Sequence, residues 1–337
     1  MNPFEYSKVT SPAQALEQIR ASSHAKYIGG GTNLVDLMRE AVEKPDRLVD
    51  LNAVKDLKTI TRASDGTLSI GALVSNANAA YNKDVMKTHA LLSEAILAGA
   101  SPQLRNMATM GGNLLQRTRC YYFYDKATKC NKREPGSGCD AIKGYNRIHA
   151  VLGQSNECIA VHPSDMCVAL AALNASVRVQ GASGERTLQF RDFHRLPGST
   201  PEKDSNLEAD DLIVGVDLPV NGFQKTHAYL KIRDRASYAF ALISVAAALE
   251  IENKTIKSCG VAMGGVAHKP WRNEALESSH LIGKPAVKET FAAFAEAFFK
   301  AAKAYEHNAF KPELGRRALV RALTEATEKA TEKGGAV

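Results

Sequence analysis

Two glycine-rich turns constrain this chain more than any other feature. The first is Ile28-Gly29-Gly30-Gly31-Thr32-Asn33-Leu34, entered from the extended run Ala25-Lys26-Tyr27-Ile28 and left through an apolar-periodic segment, residues 34–38. Without Cβ atoms, consecutive residues can turn their N–H groups toward one point and admit a partner closely. Successive N–H groups make an anion site, and a pyrophosphate suits one. Thr32 and Asn33 add side-chain donors. A tight turn closing a strand would carry the same residues. The spacing is neither G-x-G-x-x-G nor Walker A, so neither a nicotinamide fold nor a P-loop kinase is supported. The second turn, Ala108-Thr109-Met110-Gly111-Gly112-Asn113-Leu114, repeats the paired glycines, the hydroxyl and the amide. Together the pair favours a ligand over two plain bends: two such loops can cradle both ends of a long dinucleotide.

A chain of 337 residues suits two or three domains. Its net charge is +7, but residues 117–147 alone hold eight Lys/Arg against three Asp/Glu, a net +5. The basicity therefore belongs to one segment, and no nucleic-acid module signature accompanies it. No apolar run is long enough to cross a bilayer, so no membrane is expected. The start, Met1-Asn2-Pro3-Phe4-Glu5, lacks a basic-then-apolar signal, so export would have to be directed by a partner.

Along the chain, Phe4–Tyr6 reads as a strand, and Ser11-Pro12-Ala13-Gln14 as a capped helix start whose Gln closes a capping box. The strand into the first turn, a short 34–39 helix and a strand at 47–51 make a small α/β unit. Strands are expected at 57–62 and 67–72 around Asp65-Gly66, at 177–180, 187–190 and 212–218. Helices are expected at 91–97 and 166–173. A boundary fits near Pro219–Gly222. It divides the chain into residues 1–222, with subdomains at about 1–55 and 56–222, and residues 223–337. Beyond it, 228–232, 239–251 and 258–266 read as one antiparallel sheet, 287–305 and 313–332 as amphipathic helices, and the Thr-Glu-Lys repeats at 327–329 and 331–333 as a fraying end.

Residues 117–160 read as an irregular insertion. It holds Cys120, Cys130, Cys139 and Cys158, separated by nine, eight and eighteen residues. Cys167 and Cys259 read as buried apolar residues. Four thiolates fit a [4Fe–4S] cluster, a structural zinc ion or no metal at all, and the spacing matches no ferredoxin run or zinc ribbon. Lys126, Lys129, Lys132, Arg133, Arg117 and Arg119 would offset an anionic cluster, and the insertion has little apolar inventory of its own beyond Tyr121–Tyr124.

The first turn, the run Gln103-Leu104-Arg105-Asn106, the second turn, Pro163-Ser164-Asp165 and Leu230-Lys231 resemble the FAD subunits of the molybdenum hydroxylases, over nearly the whole chain. That family includes xanthine dehydrogenase, carbon monoxide dehydrogenase and 4-hydroxybenzoyl-CoA reductase. Leu115–Cys120 and Arg233–Phe240 are similar to the FAD subunits of bacterial periplasmic aldehyde oxidoreductases. The resemblance implies an α+β fold: the two-subdomain FAD-binding fold of the vanillyl-alcohol oxidase and carbon monoxide dehydrogenase flavoprotein type, with a C-terminal antiparallel sheet plus helices. It implies that Lys26, Tyr27, Ile28, Gly29, Gly30, Gly31, Thr32, Asn33 and Leu34 wrap the FAD pyrophosphate. Thr109, Gly112 and Asn113 would hold the other side, and Thr118 would touch FAD. Asp165 would bond the nucleotide part, Ile213 would pack on FAD, and Lys231 would reach the flavin. The four cysteines become ligands of a [4Fe–4S] cluster. The implied activity is electron transfer within a molybdenum-dependent aldehyde oxidoreductase, with no catalytic side chain here. The implied partners are a molybdenum-cofactor-binding large subunit, a small [2Fe–2S] subunit and an external electron acceptor. The implied location is the periplasm, reached by co-export with a signal-bearing partner; the alternative is the cytoplasm.

Overall fold

A computed structural model describes residues 1–334; residues 335–337 of the expected C-terminal unit lie outside the described residues. The first layer is a parallel sheet of β1 (Glu5–Lys8), β2 (Ala25–Ile28) and β3 (Arg47–Asp50), in the order β1-β3-β2. The helix Pro12–Arg20 joins β1 to β2. Ser11 Oγ accepts the Gln14 N–H at 3.3 Å, whereas Gln14 Oε1 accepts from Thr10 N rather than closing the expected box on Ser11. Ala15, Leu16 and Ile19 give the helix one apolar face, buried against Val49 and Leu212.

The second layer is antiparallel: β4 (Ile60–Arg62), β5 (Leu68–Gly71), β6 (Ser176–Gly181), β7 (Gly184–Gln189) and β8 (Leu212–Leu218), in the order β4-β5-β8-β6-β7. The third is β9 (His227–Ile232), β10 (Ile243–Glu252), β11 (Thr255–Gly264) and β12 (Trp271–Arg272), in the order β12-β11-β10-β9. Period-two alternation lets β10 serve two cores. Ile243, Val245, Ala247 and Leu249 face the helices Lys288–Phe298 and Lys311–Gly334, while Ala246 and Ala248 join the core of the five-stranded sheet. The helix Asp165–Ala172 lies between these layers with all eight residues buried, which is why its sequence is apolar all round.

Several boundaries differ from the sequence reading. The segment 57–62 splits into a helical turn, Lys55–Lys58, and β4. The helix expected over 287–305 stops at Phe298, and the last helix runs Lys311–Gly334 straight through the Thr-Glu-Lys repeats. The second glycine turn is a one-turn helix, Met110–Leu114, and Asn76–Ala80, Lys83–Thr88 and Pro102–Met107 are short helices not anticipated. Five or six residues are too few to show a helical period. The insertion is irregular as expected; among the described residues of 117–160 the one helix is Tyr121–Tyr124. No described helix is long and apolar enough to cross a membrane.

Candidate functional site

The first glycine loop spends its carbonyls and keeps its amides. Gly29 O accepts Asn52 Nδ2 at 3.0 Å. Gly31 O accepts Val35 N at 3.1 Å and Asn33 O accepts Leu37 N at 3.0 Å. Among the described residues, none of the N–H groups of residues 29–33 donates to an acceptor within the protein. Five consecutive unpaired amides are free to take an anion, and Gly31, at φ +69°, puts a left-handed bend among them. Gly30 also has a packing job that its sequence does not announce. A Cβ there would lie 1.8 Å from Met107 O, and one on Gly29 would lie 3.0 Å from Thr109 Oγ1. These glycines let the two loops touch each other.

The second loop does not repeat the first. Met110 N donates to Val74 O at 2.9 Å, Gly111 N to Ala72 O at 2.8 Å and Asn113 N to Thr109 O at 2.8 Å, while Gly112 N donates to the Thr109 cap at 3.2 Å. Two of its amides dock it onto Ala72 and Val74 and the other two close on Thr109, so it offers a rigid wall rather than a second amide cradle. Asn113 Oδ1 accepts Ser164 Oγ–H at 2.7 Å, and Gln116 donates to the same oxygen.

A cleft of about 790 Å³ opens beside both loops, and of the expected residues Thr32, Asn33, Gly112, Asn113, Asp165 and Lys231 line it. Asp165 and Lys231, expected at different parts of a nucleotide, meet each other: Lys231 Nζ stands 2.7 Å from Asp165 Oδ2 and 3.1 Å from Ala98 O. Tyr229 donates to the other carboxylate oxygen at 2.7 Å. Ile28, Gly29, Gly30, Gly31 and Leu34 are half-buried in the first loop and its flanks, and Thr109 is buried. Lys26 is exposed on β2, Tyr27 donates to Asp210 O at 3.1 Å, and Ile213 is buried in β8 opposite Val179. Thr118 is elsewhere, beside the cysteines. The far wall is the segment 234–242, with Tyr238 at φ +52° and the Arg119 guanidinium 5.1 Å from the centroid of the Phe240 ring. Its signal in the sequence is the run Arg233–Phe240, to which residue chemistry assigns no role.

Cys120, Cys130, Cys139 and Cys158 all line one small void. Burial pushes the Cys120 and Cys158 thiols up to about 12, so as free side chains they stay protonated at neutral pH. Protein groups are aimed at the sulfurs nonetheless: Ala160 N donates to Cys158 Sγ at 3.4 Å, and His149 Nε2 lies 3.1 Å from Cys120 Sγ. Sulfurs on one zinc ion at about 2.3 Å lie no more than about 4.6 Å apart. Among the described residues, the only trio of possible ligands within 4.8 Å of one another is His162, Cys167 and His194, not the insertion thiols. No three of the insertion thiols stand close enough together for one such ion. The His162 trio is not arranged for a metal either: His162 Nδ1 accepts Ser164 N–H at 3.4 Å, which leaves the proton, not a lone pair, on Nε2.

The basic residues of the insertion do structural work. Arg133 donates to Tyr122 O at 2.7 Å and Phe123 O at 2.9 Å. Arg117 reaches Glu43 at 2.6 Å and Asp204 at 2.9 Å, and Lys132 also pairs with Asp204. Burial would raise the Asp204 carboxyl, but Lys132 and Arg117 outweigh it and hold the group well below the usual carboxylate range. A carboxyl lowered by folding stabilises the fold above its unfolded value, about pH 4. That contribution drains away as the pH falls from there through the folded value. Lys132 has 1% side-chain exposure and Asp204 30%, which puts the cost of losing one partner near the lower end for buried pairs, about 3 kcal/mol. Asp204→Asn is therefore expected to lose about that much at neutral pH and progressively less below about pH 4. Urea unfolding at a series of pH values checks both the size and the direction.

The model for the FAD binding domain in molybdopterin dehydrogenase matches residues 2–221, and that for the CO dehydrogenase flavoprotein C-terminal domain matches residues 228–326. The chain is 47% identical over 331 residues to the aldehyde oxidoreductase FAD-binding subunit PaoB of Escherichia coli (strain K12), covering 98% of this chain and 100% of that one. It is 28% identical to the glyceraldehyde dehydrogenase medium chain of Sulfolobus acidocaldarius, covering 83% of this chain and 82% of that one. Among solved structures, carbon monoxide dehydrogenase from Hydrogenophaga pseudoflava superposes with a TM-score of 0.76 at 24% identity, covering 97% of this chain and 98% of that one. That likeness establishes the shared fold.

Proposed function

Because the chain belongs to the FAD-binding flavoprotein family of the molybdopterin dehydrogenases, we propose that it is the electron-transfer subunit of a molybdenum-dependent aldehyde oxidoreductase. An FAD-binding oxidoreductase subunit follows from the family. The finer reading is this chain's place in the electron path. Aldehydes become carboxylic acids on a large partner subunit carrying the molybdenum cofactor, and electrons arrive through a small [2Fe–2S] subunit and leave to an external acceptor. The relative named as an aldehyde oxidoreductase subunit supports the substrate class. The observation that carries the reading is the row of free amides at residues 29–33 beside a cleft large enough for a dinucleotide.

The residues fit FAD. The amides of Gly29 to Asn33 would hold the pyrophosphate, Asn113 and the one-turn helix behind it would fix the opposite side, and the Asp165–Lys231 pair would present a neutral wall. FAD would supply the step between paired and single electron transfer; the protein binds, orients and excludes water. Residues 1–222 would hold FAD and 223–337 would close the cleft through Lys231 and residues 234–242. We further propose that the void among Cys120, Cys130, Cys139 and Cys158 takes a [4Fe–4S] cluster. What supports it is that no three of these thiols lie close enough together for one zinc ion and that the Ala160 N–H donates to Cys158 Sγ. Export to the periplasm with a signal-bearing partner goes with this reading and is checked by fractionation.

The test is to purify the chain with and without a molybdenum-cofactor-binding large subunit and a small [2Fe–2S] subunit. The expected result is flavin absorption over a broad iron–sulfur shoulder in both, with aldehyde oxidation only in the assembly. A colourless protein holding one zinc per chain would overturn the cofactor assignment. Aldehyde turnover by this chain alone would overturn its role as a relay.

A further inference from the structure

His149 is fully buried, and its Nε2 lies 3.1 Å from Cys120 Sγ. Its other nitrogen, Nδ1, is also buried and meets no hydrogen-bond partner. A neutral imidazole carries one proton. Placed on Nδ1 it would be buried without an acceptor, which is costly; placed on Nε2 it points at the sulfur. The geometry is enforced from a distance in sequence. Lys311 has no exposed surface and donates to His149 O at 2.9 Å, Ile148 O at 3.1 Å and Gly265 O at 2.6 Å. Asn308, also without exposure, donates to His149 O at 3.3 Å. The Tyr122 ring packs on the imidazole with centroids 6.2 Å apart. Two fully buried polar side chains from the C-terminal unit are thus spent on fixing one peptide of the insertion, the one that carries the imidazole.

We propose that His149 is a positioning residue for the cluster: it donates Nε2–H to the Cys120 thiolate and raises the cluster's reduction potential. A hydrogen bond to a ligating sulfur favours the reduced, more negative form over the oxidised one. Groups just outside the ligand set commonly tune a metal centre in this way. The inference rests on the cluster assignment above and goes beyond it.

The experiment uses the intact assembly. Potentiometric titration followed by low-temperature EPR gives the midpoint of the [4Fe–4S] signal in the wild type, His149→Phe and His149→Gln. In His149→Phe the reduced-to-oxidised ratio at the wild-type midpoint should fall about tenfold, a shift of about 59 mV for one electron. His149→Gln, which restores an N–H donor at similar reach, should recover part of it. Because His149→Phe replaces a fully buried polar ring and could lose the cluster outright, a second measurement uses the unmutated protein. Selective 15N-histidine labelling should add a weak nitrogen coupling to the pulsed-EPR spectrum of the reduced [4Fe–4S] cluster. No histidine coupling, or an unmoved midpoint in His149→Phe, overturns the proposal while leaving the cluster in place. A wild-type assembly with no [4Fe–4S] signal overturns the cluster assignment itself, and this inference with it.

Discussion

Gly30→Val is expected to abolish flavin retention, lowering FAD affinity at least a hundredfold, about 2.7 kcal/mol. The cause is internal. The Cβ of the new side chain would sit 1.8 Å from Met107 O and 2.6 Å from the carbon that bears it. Main chain meets main chain there, so no rotamer relieves the overlap. The Met107 side cannot retreat, because Ala108 O accepts Asn76 N at 2.8 Å and Met110 N is tied to Val74 O at 2.9 Å. The glycine loop must move instead, and its five free amides move with it. Flavin-to-protein ratio after purification, followed by titration with FAD, measures the effect. A variant that keeps full flavin would show that the amide row is not what grips the nucleotide.

Cys130→Ser should lower iron affinity at least a hundredfold, more than the 10–100-fold typical of losing a group behind a ligand, while leaving flavin in its cleft. Cys130 sits 7% exposed at a bridge to Cys139, with Ser137 Oγ accepting its N–H at 3.1 Å. Its loss removes one corner of the thiol set and puts a hydroxyl into the small apolar cluster it shares with Phe123 and Ile159. Cys259→Ser is the control: Cys259 lies among Val261, Phe291 and Leu319 in the C-terminal core, and its iron content should not change. Iron per flavin by elemental analysis reads both variants. Unchanged iron in Cys130→Ser would strike it from the ligands.

The parts of this molecule that were legible in its sequence are those whose cause is local. Extended run, glycines and apolar period mark β2, the first loop and the helix Leu34–Arg39 within fifteen residues. The four insertion cysteines stand apart from Cys167 and Cys259 by their polar surroundings, and the structure gathers those four around one void while the other two lie in apolar cores. What was not legible depends on residues far apart in the chain. Nothing near Gly30 announces that Met107 will press on it. Asp165 and Lys231 look like two independent contacts until β9 brings them together. The second glycine pair resembles the first, yet the Gly111 amide is taken by Ala72 O and the Gly112 amide by its own Thr109 cap, and the first of these pairings exists only in the folded chain. His149 gives no sign of its sulfur neighbour twenty-nine positions earlier.

The fastening of the insertion by Lys311, Asn308 and Asp204 bears on how portable it is. Residues 117–160 look like a self-contained cassette that could be moved into a flavoprotein lacking one. The peptide at His149, however, hangs from two buried side chains beyond residue 300, and Lys132 leans on the carboxylate of Asp204. A transplant of the cassette alone would arrive without its moorings. The transferable unit is three separate stretches of sequence, and they would have to travel together.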